Sequence, residues 1–240
     1  MIKGLLSIGI KPDEFAFATQ NDTLGNDAYE DFLQVLSEAG YAKAQMLPLG
    51  RITPNTSNVA GALATIMEEQ KKTPKVIGLA MGGEAIPAFM KLASKEFPDL
   101  IFYNPSTLMS TQGLEKRLEY KIITSQVVPY LDSDLPAIQE YREDLKKYGS
   151  GAKSNTYCLK AYLTAKLFVL ALKKAAAENK LTHEQIIDVL EDMHHVDIGI
   201  GINISFDKNN HQALHNVWPL VFKNGKFEPL INWQILLNPK

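Results

Sequence analysis

Cysteine is almost missing from this chain. The single residue, Cys158, excludes an internal disulfide and a multi-cysteine metal site. Long apolar runs are missing too, and none approaches the ~18 residues of a membrane span. Neither sign of charge is in excess: 25 Lys and Arg stand against 27 Asp and Glu. The only short basic cluster is LEKRLEYK, residues 114–121. That leaves no electrostatic footprint for nucleic acid or an anionic membrane. No GxSxG, Walker or GxGxxG string occurs, and no Ser-His-Asp signature. Nothing in the sequence supports an enzyme, and no cofactor is expected. The opening MIKGLLSIGIKPDEF carries a lysine and a short apolar run, but KPDE interrupts it too early for a signal peptide.

What is present is alternation of strands and helices. EFAFAT (14–19) is a short apolar run bounded by turn residues, the pattern of a buried strand. Asn26 then offers an N-cap, and Tyr29, Phe32, Leu33 and Leu36 repeat at helical spacing up to Gly40. AKAQMLPL (42–49) reads as a second strand and RITPNTSN as a loop. Val59, Leu63, Ile66 and Met67 then line a helix face. KVIGLAM (75–81), LIFYN (100–104) and YKIITSQVV (120–128) complete five strands, with the helical GGEAIPAFMKLASKEF between the third and fourth. This order predicts an α/β fold with parallel pairing and right-handed crossovers.

The pattern changes after Pro129. DLPAIQEYREDLKKYG (134–149) is an amphipathic helix, and residues 156–177 are apolar nearly all round. Such a helix needs packing partners on several sides. Thr182 and Gln185 form a capping box for a further helix. GINISF (201–206) reads as a strand, and VWPLVFKNGKFEPLINW as a hairpin turning at Asn224-Gly225.

Four strings resemble the type 1 periplasmic binding proteins, in the branch that serves branched-chain amino acid and amide ABC transporters. They are QNDTLGNDAYEDFLQVLSEAGY, TSQVVPYLDSDLPAIQEYREDLKKYG, YCLKAYLTAKLFVLALKKA, and GIGINISFDKNNHQ with the closing hairpin. The resemblance implies a parallel-sheet, Rossmann-like second lobe over 11–126 plus 217–233. Residues 1–10 plus 127–216 would then be a remnant of a first lobe whose N-terminal sheet has no counterpart here. It also implies a hinge at Gln126, Val127 and Val128 and again at Asn216 and Val217. The implied partners are a small solute (amino acid, amide or carboxylate) and an ABC permease, and the implied location is periplasmic or extracellular. An uncovered helix 156–177 suggests a homo-oligomer through that helix. A cytosolic sensor of the same fold and a degenerate oligomeric fragment without ligand are the alternatives.

Ligands of parallel sheets sit beyond the carboxyl ends of the strands. This selects three loops, Gln20 to Leu24, Met81 to Glu84 and Asn104 to Thr107, and in them Asn21, Asp22, Thr23, Leu24, Met81, Gly82, Gly83, Glu84, Asn104, Ser106 and Thr107 as ligand contacts. Gly25, Gly82 and Gly83 serve equally well as turn formers with no ligand role. In the amino-acid binders, aromatic residues of this lobe and an acid hold the ligand ammonium group. The matching positions here resemble Leu24, Gly82 or Gly83, and Ser106, which cannot do so. Glu84 stands near enough in sequence to replace the acid, or serves only as a first-turn residue favoured by the helix dipole. His194, His195, His211 and His215 cluster, but the adjacent pair diverges and no metal is expected. Lys160 reads as a snorkelling side chain, and Cys158 as a small hydrophobe.

Overall fold

Six consecutive buried residues, FAFATQ, form β1 (Phe15–Gln20), a strand covered on both faces and flanked by parallel neighbours on both edges. The computed structural model describes residues 1–105, 118, 119 and 121–238, and it separates into two units. One runs to Gln126 and resumes at Pro219. The other is Val127–Trp218.

In the first unit, β2 (Leu49–Ile52), β1, β3 (Val76–Ala80), β4 (Ile101–Asn104) and β5 (Ile122–Gln126) pair in that spatial order, and all pairings among them are parallel. The sheet continues into β8 (Trp218–Lys223) and β9 (Lys226–Pro229), an antiparallel hairpin. Asn224 and Gly225 both have positive φ, 53° and 73°, as a type I′ turn requires.

Strand alternation divides the core into two layers. Phe15, Phe17, Val76 and Tyr103 face α1 (Ile2–Ser7) and α2 (Thr23–Glu38). Ala16, Ala18, Ile77, Leu79 and Phe102 face α3 (Ala60–Glu69) and α4 (Ala85–Glu96). This is the doubly wound arrangement that βα alternation demands.

Four local expectations are corrected. Residues 42–49 are not a strand: Ala44–Met46 form a single 3₁₀ turn, and the second strand is Leu49–Ile52. Register explains it, because Leu49 to Ile52 lie opposite Phe17 to Gln20. The N-cap of α2 is Asp22 rather than Asn26; its extended backbone aims Oδ1 at the Gly25 N–H, 3.0 Å away. Residues 1–10 join the first unit, since Ile2, Leu5 and Ile10 bury their apolar stripe in the α2 layer. Met67 is exposed, outside the Leu63–Ile66 face of α3.

The second unit holds α5 (Pro136–Tyr148), α6 (Thr156–Ala177), α7 (His183–Glu191) and the short antiparallel pair β6 (Val196–Asp197) and β7 (Asn203–Ile204). The strand expected over 201–206 shrinks to two residues, and its partner β6 gave no apolar run to announce it. Thr182 and Gln185 make the reciprocal capping box of α7. α6 buries Leu159, Leu163, Ala171 and Ala175 and leaves Tyr157, Phe168, Val169 and Leu172 exposed. No helix among the described residues is long and apolar enough to cross a membrane.

Glu14 fastens the entry to β1. Its carboxylate accepts from the Lys11 N–H at 2.8 Å and pairs with Lys72 and Lys75 at 3.2 and 3.1 Å. Burial pushes its pKa up, but these donors outweigh that and hold it below the ordinary 4.5. A depressed folded-state pKa stabilises above the unfolded value, and the contribution disappears as pH falls through the folded one. Glu14→Gln is therefore expected to cost about 2 kcal/mol at neutral pH. The gap to the wild type should close as urea titrations are repeated from pH 7 towards pH 3.

Candidate functional site

Buried polar side chains need partners or a purpose, since unpaired ones are costly. Among the described residues, all buried polar or charged side chains except Glu14 sit at the carboxyl ends of strands. They are Thr19 and Gln20 on β1, Asn104 on β4, and Thr124, Ser125 and Gln126 on β5. The opposite, amino ends of β1, β3 and β4 begin Phe15, Val76 and Ile101, all apolar. The sheet thus has one polar edge, the one from which the loops selected in the sequence emerge.

Gln20 organises that edge. Its Nε2 donates to Asp22 Oδ2 at 2.8 Å, and its Oε1 accepts from the Gly82 N–H at 2.6 Å. Asp22 passes the connection on by accepting from Gly25 with its other oxygen. Gly25 has no room for a side chain: a Cβ there would lie 1.9 Å from the Gln20 carbonyl oxygen. The β1–α2 loop is therefore pressed against its own strand and bonded to the β3–α4 loop.

Arg51, at the end of β2, closes the other side. One guanidinium nitrogen, Nη1, donates to Thr19 Oγ1 (2.9 Å), to the Gln20 carbonyl (3.2 Å) and to Asn26 Oδ1 (2.8 Å). The guanidinium carbon lies 5.5 Å from the centre of the Tyr29 ring. Near β5, Ser125 Oγ donates to the Pro105 carbonyl at 3.0 Å. The phenol of Tyr103 is pushed up to about 12, by burial first and by a nearby Asp31 charge, with a Ser125 hydrogen bond opposing.

The sequence-selected residues divide into groups. Asn21, Thr23 and Leu24 are exposed on the β1–α2 loop, and Asp22, half-buried, has both oxygens engaged in building it. Gly82, Gly83 and Glu84 are exposed on the β3–α4 loop, with Gly83 in the left-handed region at φ 60°. Met81 departs from expectation: it packs into the core layer beneath α3 and α4 and does not line the loop surface. Asn104 is buried at the end of β4. Ser106 and Thr107 lie outside the described residues. Thr19 and Arg51 gave no motif, and Gln20 was read only as the start of the first loop. The legible signal was a polar pair, Thr19-Gln20, ending an otherwise apolar buried strand.

In the second unit, Val127 is exposed and Val128 buried, while Asn216 and Val217 are exposed. A groove of about 540 Å³ there is lined mainly by apolar residues, among them Leu163, Leu167, Ile198 and Phe206. His211 faces Glu191 at 2.9 Å and His215 faces Asn210 at 3.3 Å. Among the described residues, no three His, Cys, Asp or Glu side chains converge as metal ligands would.

A doubly wound lobe with a polar carboxyl edge and loops tied across two strands defines a class, the α/β proteins that hold small molecules beyond their strand ends. Residues 9–226 match the profile of a family described as periplasmic binding protein, and the chain belongs to the type 1 periplasmic binding proteins. Intact members are periplasmic, substrate-binding components of ABC systems. A possible leucine/isoleucine/valine-binding protein from Rhodopirellula baltica superposes with a TM-score of 0.82 at 29% identity, covering 99% of this chain and 64% of its own. A fatty acid ABC transporter substrate-binding protein from Thermomonospora curvata gives 0.71 at 18%, covering 95% and 60%. A branched chain amino acid ABC transporter protein from Thermus thermophilus with bound valine gives 0.70 at 15%, covering 100% and 66%. The chain therefore spans less than two thirds of the length of each of the three. Comparison with curated proteins returns no match.

Proposed function

We propose that this chain binds a small polar solute, an amino acid, amide or carboxylate, as part of the solute-binding component of an ABC uptake system. The observation that carries this reading is the concentration of buried polar side chains at the carboxyl edge of β1, β4 and β5. Hydrogen bonds hold Thr19, Gln20 and Ser125 in place, which keeps a polar edge beyond the strand ends, where sheets of this kind bind ligands. The first unit is then the second lobe of the family, and its solute contacts are Asn21, Thr23, Leu24, Gly82, Gly83 and Glu84, with Asn104 beneath them. Ser106 and Thr107 complete this proposed set from outside the described residues. Gln126 to Val128 and Asn216 to Val217 act as the hinge, where the chain passes from one unit to the other.

Glu84 is the acid to test first, because Asp22 is committed inside the loop. Glu84 is exposed, and among the described residues no hydrogen bond or ion pair engages its carboxylate. Glu84→Gln is expected to weaken an amino-bearing solute about tenfold while leaving an uncharged amide unaffected. Calorimetric titration of both variants with both solutes measures the difference.

The broader experiment is a thermal-shift screen of amino acids, their amides, and small aliphatic and aromatic carboxylates. A true solute at a hundred times its Kd adds about 2.7 kcal/mol. For a chain of this size that raises Tm on the order of 5–10 °C. Stabilisation by one class supports the reading, and no shift with any class contradicts it.

The exposed stripe of α6, Tyr157, Phe168, Val169 and Leu172, favours a second reading of the other unit. That stripe pairs with a second copy of this chain, or it lies under the part of the family fold that has no counterpart here. Light scattering at increasing concentration separates these, because only the first produces a dimer.

A further inference from the structure

We propose that Gln20 is a positioning residue that transmits between the two solute loops, so that the geometry of the β3–α4 loop is set by the cap of α2. The connection is a directed chain of three hydrogen bonds: Gly82 N–H to Gln20 Oε1 (2.6 Å), Gln20 Nε2 to Asp22 Oδ2 (2.8 Å), and Gly25 N–H to Asp22 Oδ1 (3.0 Å). Each link has only one chemically possible sense. A backbone N–H needs the carbonyl oxygen of Gln20, and a carboxylate needs its NH₂ group, so the amide cannot turn over. Gln20 is only 8% exposed, which keeps water from substituting for either bond. Gly82 and Gly25 lie 57 positions apart, and among the described residues Asp22 bonds to Gln20 and Gly25 and makes no hydrogen bond to Gly82. A perturbation at Asp22 therefore reaches Gly82 through Gln20.

This inference rests on the proposed solute role for its purpose, but not for its test. Amide hydrogen exchange of the solute-free chain, expressed as protection factors, reads the relay directly. Asp22→Asn places an NH₂ group against the Gln20 NH₂ while retaining an oxygen to cap Gly25. It is expected to lower protection at Gly82 about tenfold and to spare Gly25 and the core amides of β3. Gln20→Glu keeps an acceptor for Gly82 but sets two carboxylates side by side. Protection at both Gly25 and Gly82 should fall at pH 8 and recover near pH 4.5, where a protonated carboxyl can again donate to Asp22. A purely structural loss would show no acid recovery. Unchanged Gly82 protection in Asp22→Asn, or no recovery in Gln20→Glu, overturns the relay. Coupling without stabilisation by any solute would leave the relay standing and remove the solute-binding reading instead.

Discussion

Gly25→Ala is expected to destabilise the first unit by at least about 3 kcal/mol, although alanine is the better helix former. Two effects oppose each other. Helix propensity alone would favour alanine by about 0.5–1 kcal/mol. Against it, the added Cβ would sit 1.9 Å from the Gln20 carbonyl oxygen, 2.7 Å from its carbon and 2.8 Å from its nitrogen. These are backbone atoms of an inner strand, so no rotamer change relieves the clash. α2 must move away, carrying Phe32 and Leu36 out of positions that are 3% and 0% exposed. Strain of that kind costs several times the propensity gain. Gly61 supplies the control: it lies in α3 with nothing within 4 Å of an added Cβ. Gly61→Ala should stabilise by about 0.5–1 kcal/mol. Urea titration of both variants gives opposite signs if close contact, rather than helix propensity, decides.

Phe17→Ala should cost about 3–5 kcal/mol, the range for emptying a buried aromatic site. Phe17 is fully buried, stacks on Phe32 at 5.0 Å between ring centres, and meets Tyr29 edge-on at 5.5 Å. The cavity would open directly beneath α2. Tyr29, which lies against Arg51, loses its support, so the loss should extend from the core to the polar edge. Denaturation at an unchanged slope would show a simple loss of packing. Weaker solute binding by the still-folded fraction would show that α2 carries the site.

Long-range partnership separates what could be read from the sequence from what could not. β1, α2 and α6 announced themselves through apolar runs or helical spacing, and the α7 cap and the Asn224-Gly225 turn through local chemistry, all carried by residues within a few positions of one another. β2 did not, because half of its four residues, Gly50 and Arg51, have no strand character of their own. Gly50 is there because α3 approaches closely: a Cβ would lie 2.3 Å from the Ala62 carbonyl oxygen. Arg51 is there for acceptors on β1 and α2. The three candidate loops followed from topology alone, once parallel pairing was inferred. The strut between two of them did not, since Gln20 and Gly82 are 62 positions apart. Asp22 was selected as a solute contact, and the structure shows that both its oxygens also build the loop. Residues 1–10 were assigned from the resemblance to the other lobe, and their own apolar stripe places them in the core beside α2.

The most direct test of the central claim is backbone amide chemical-shift mapping while the chain is titrated with the solute class that stabilises it most. A solute held at the polar edge of the sheet moves the amides of 20–24, 81–84 and 104, and leaves α6 and β9 unchanged. Shifts confined to the second unit, or saturable binding that leaves the three loops untouched, would contradict it.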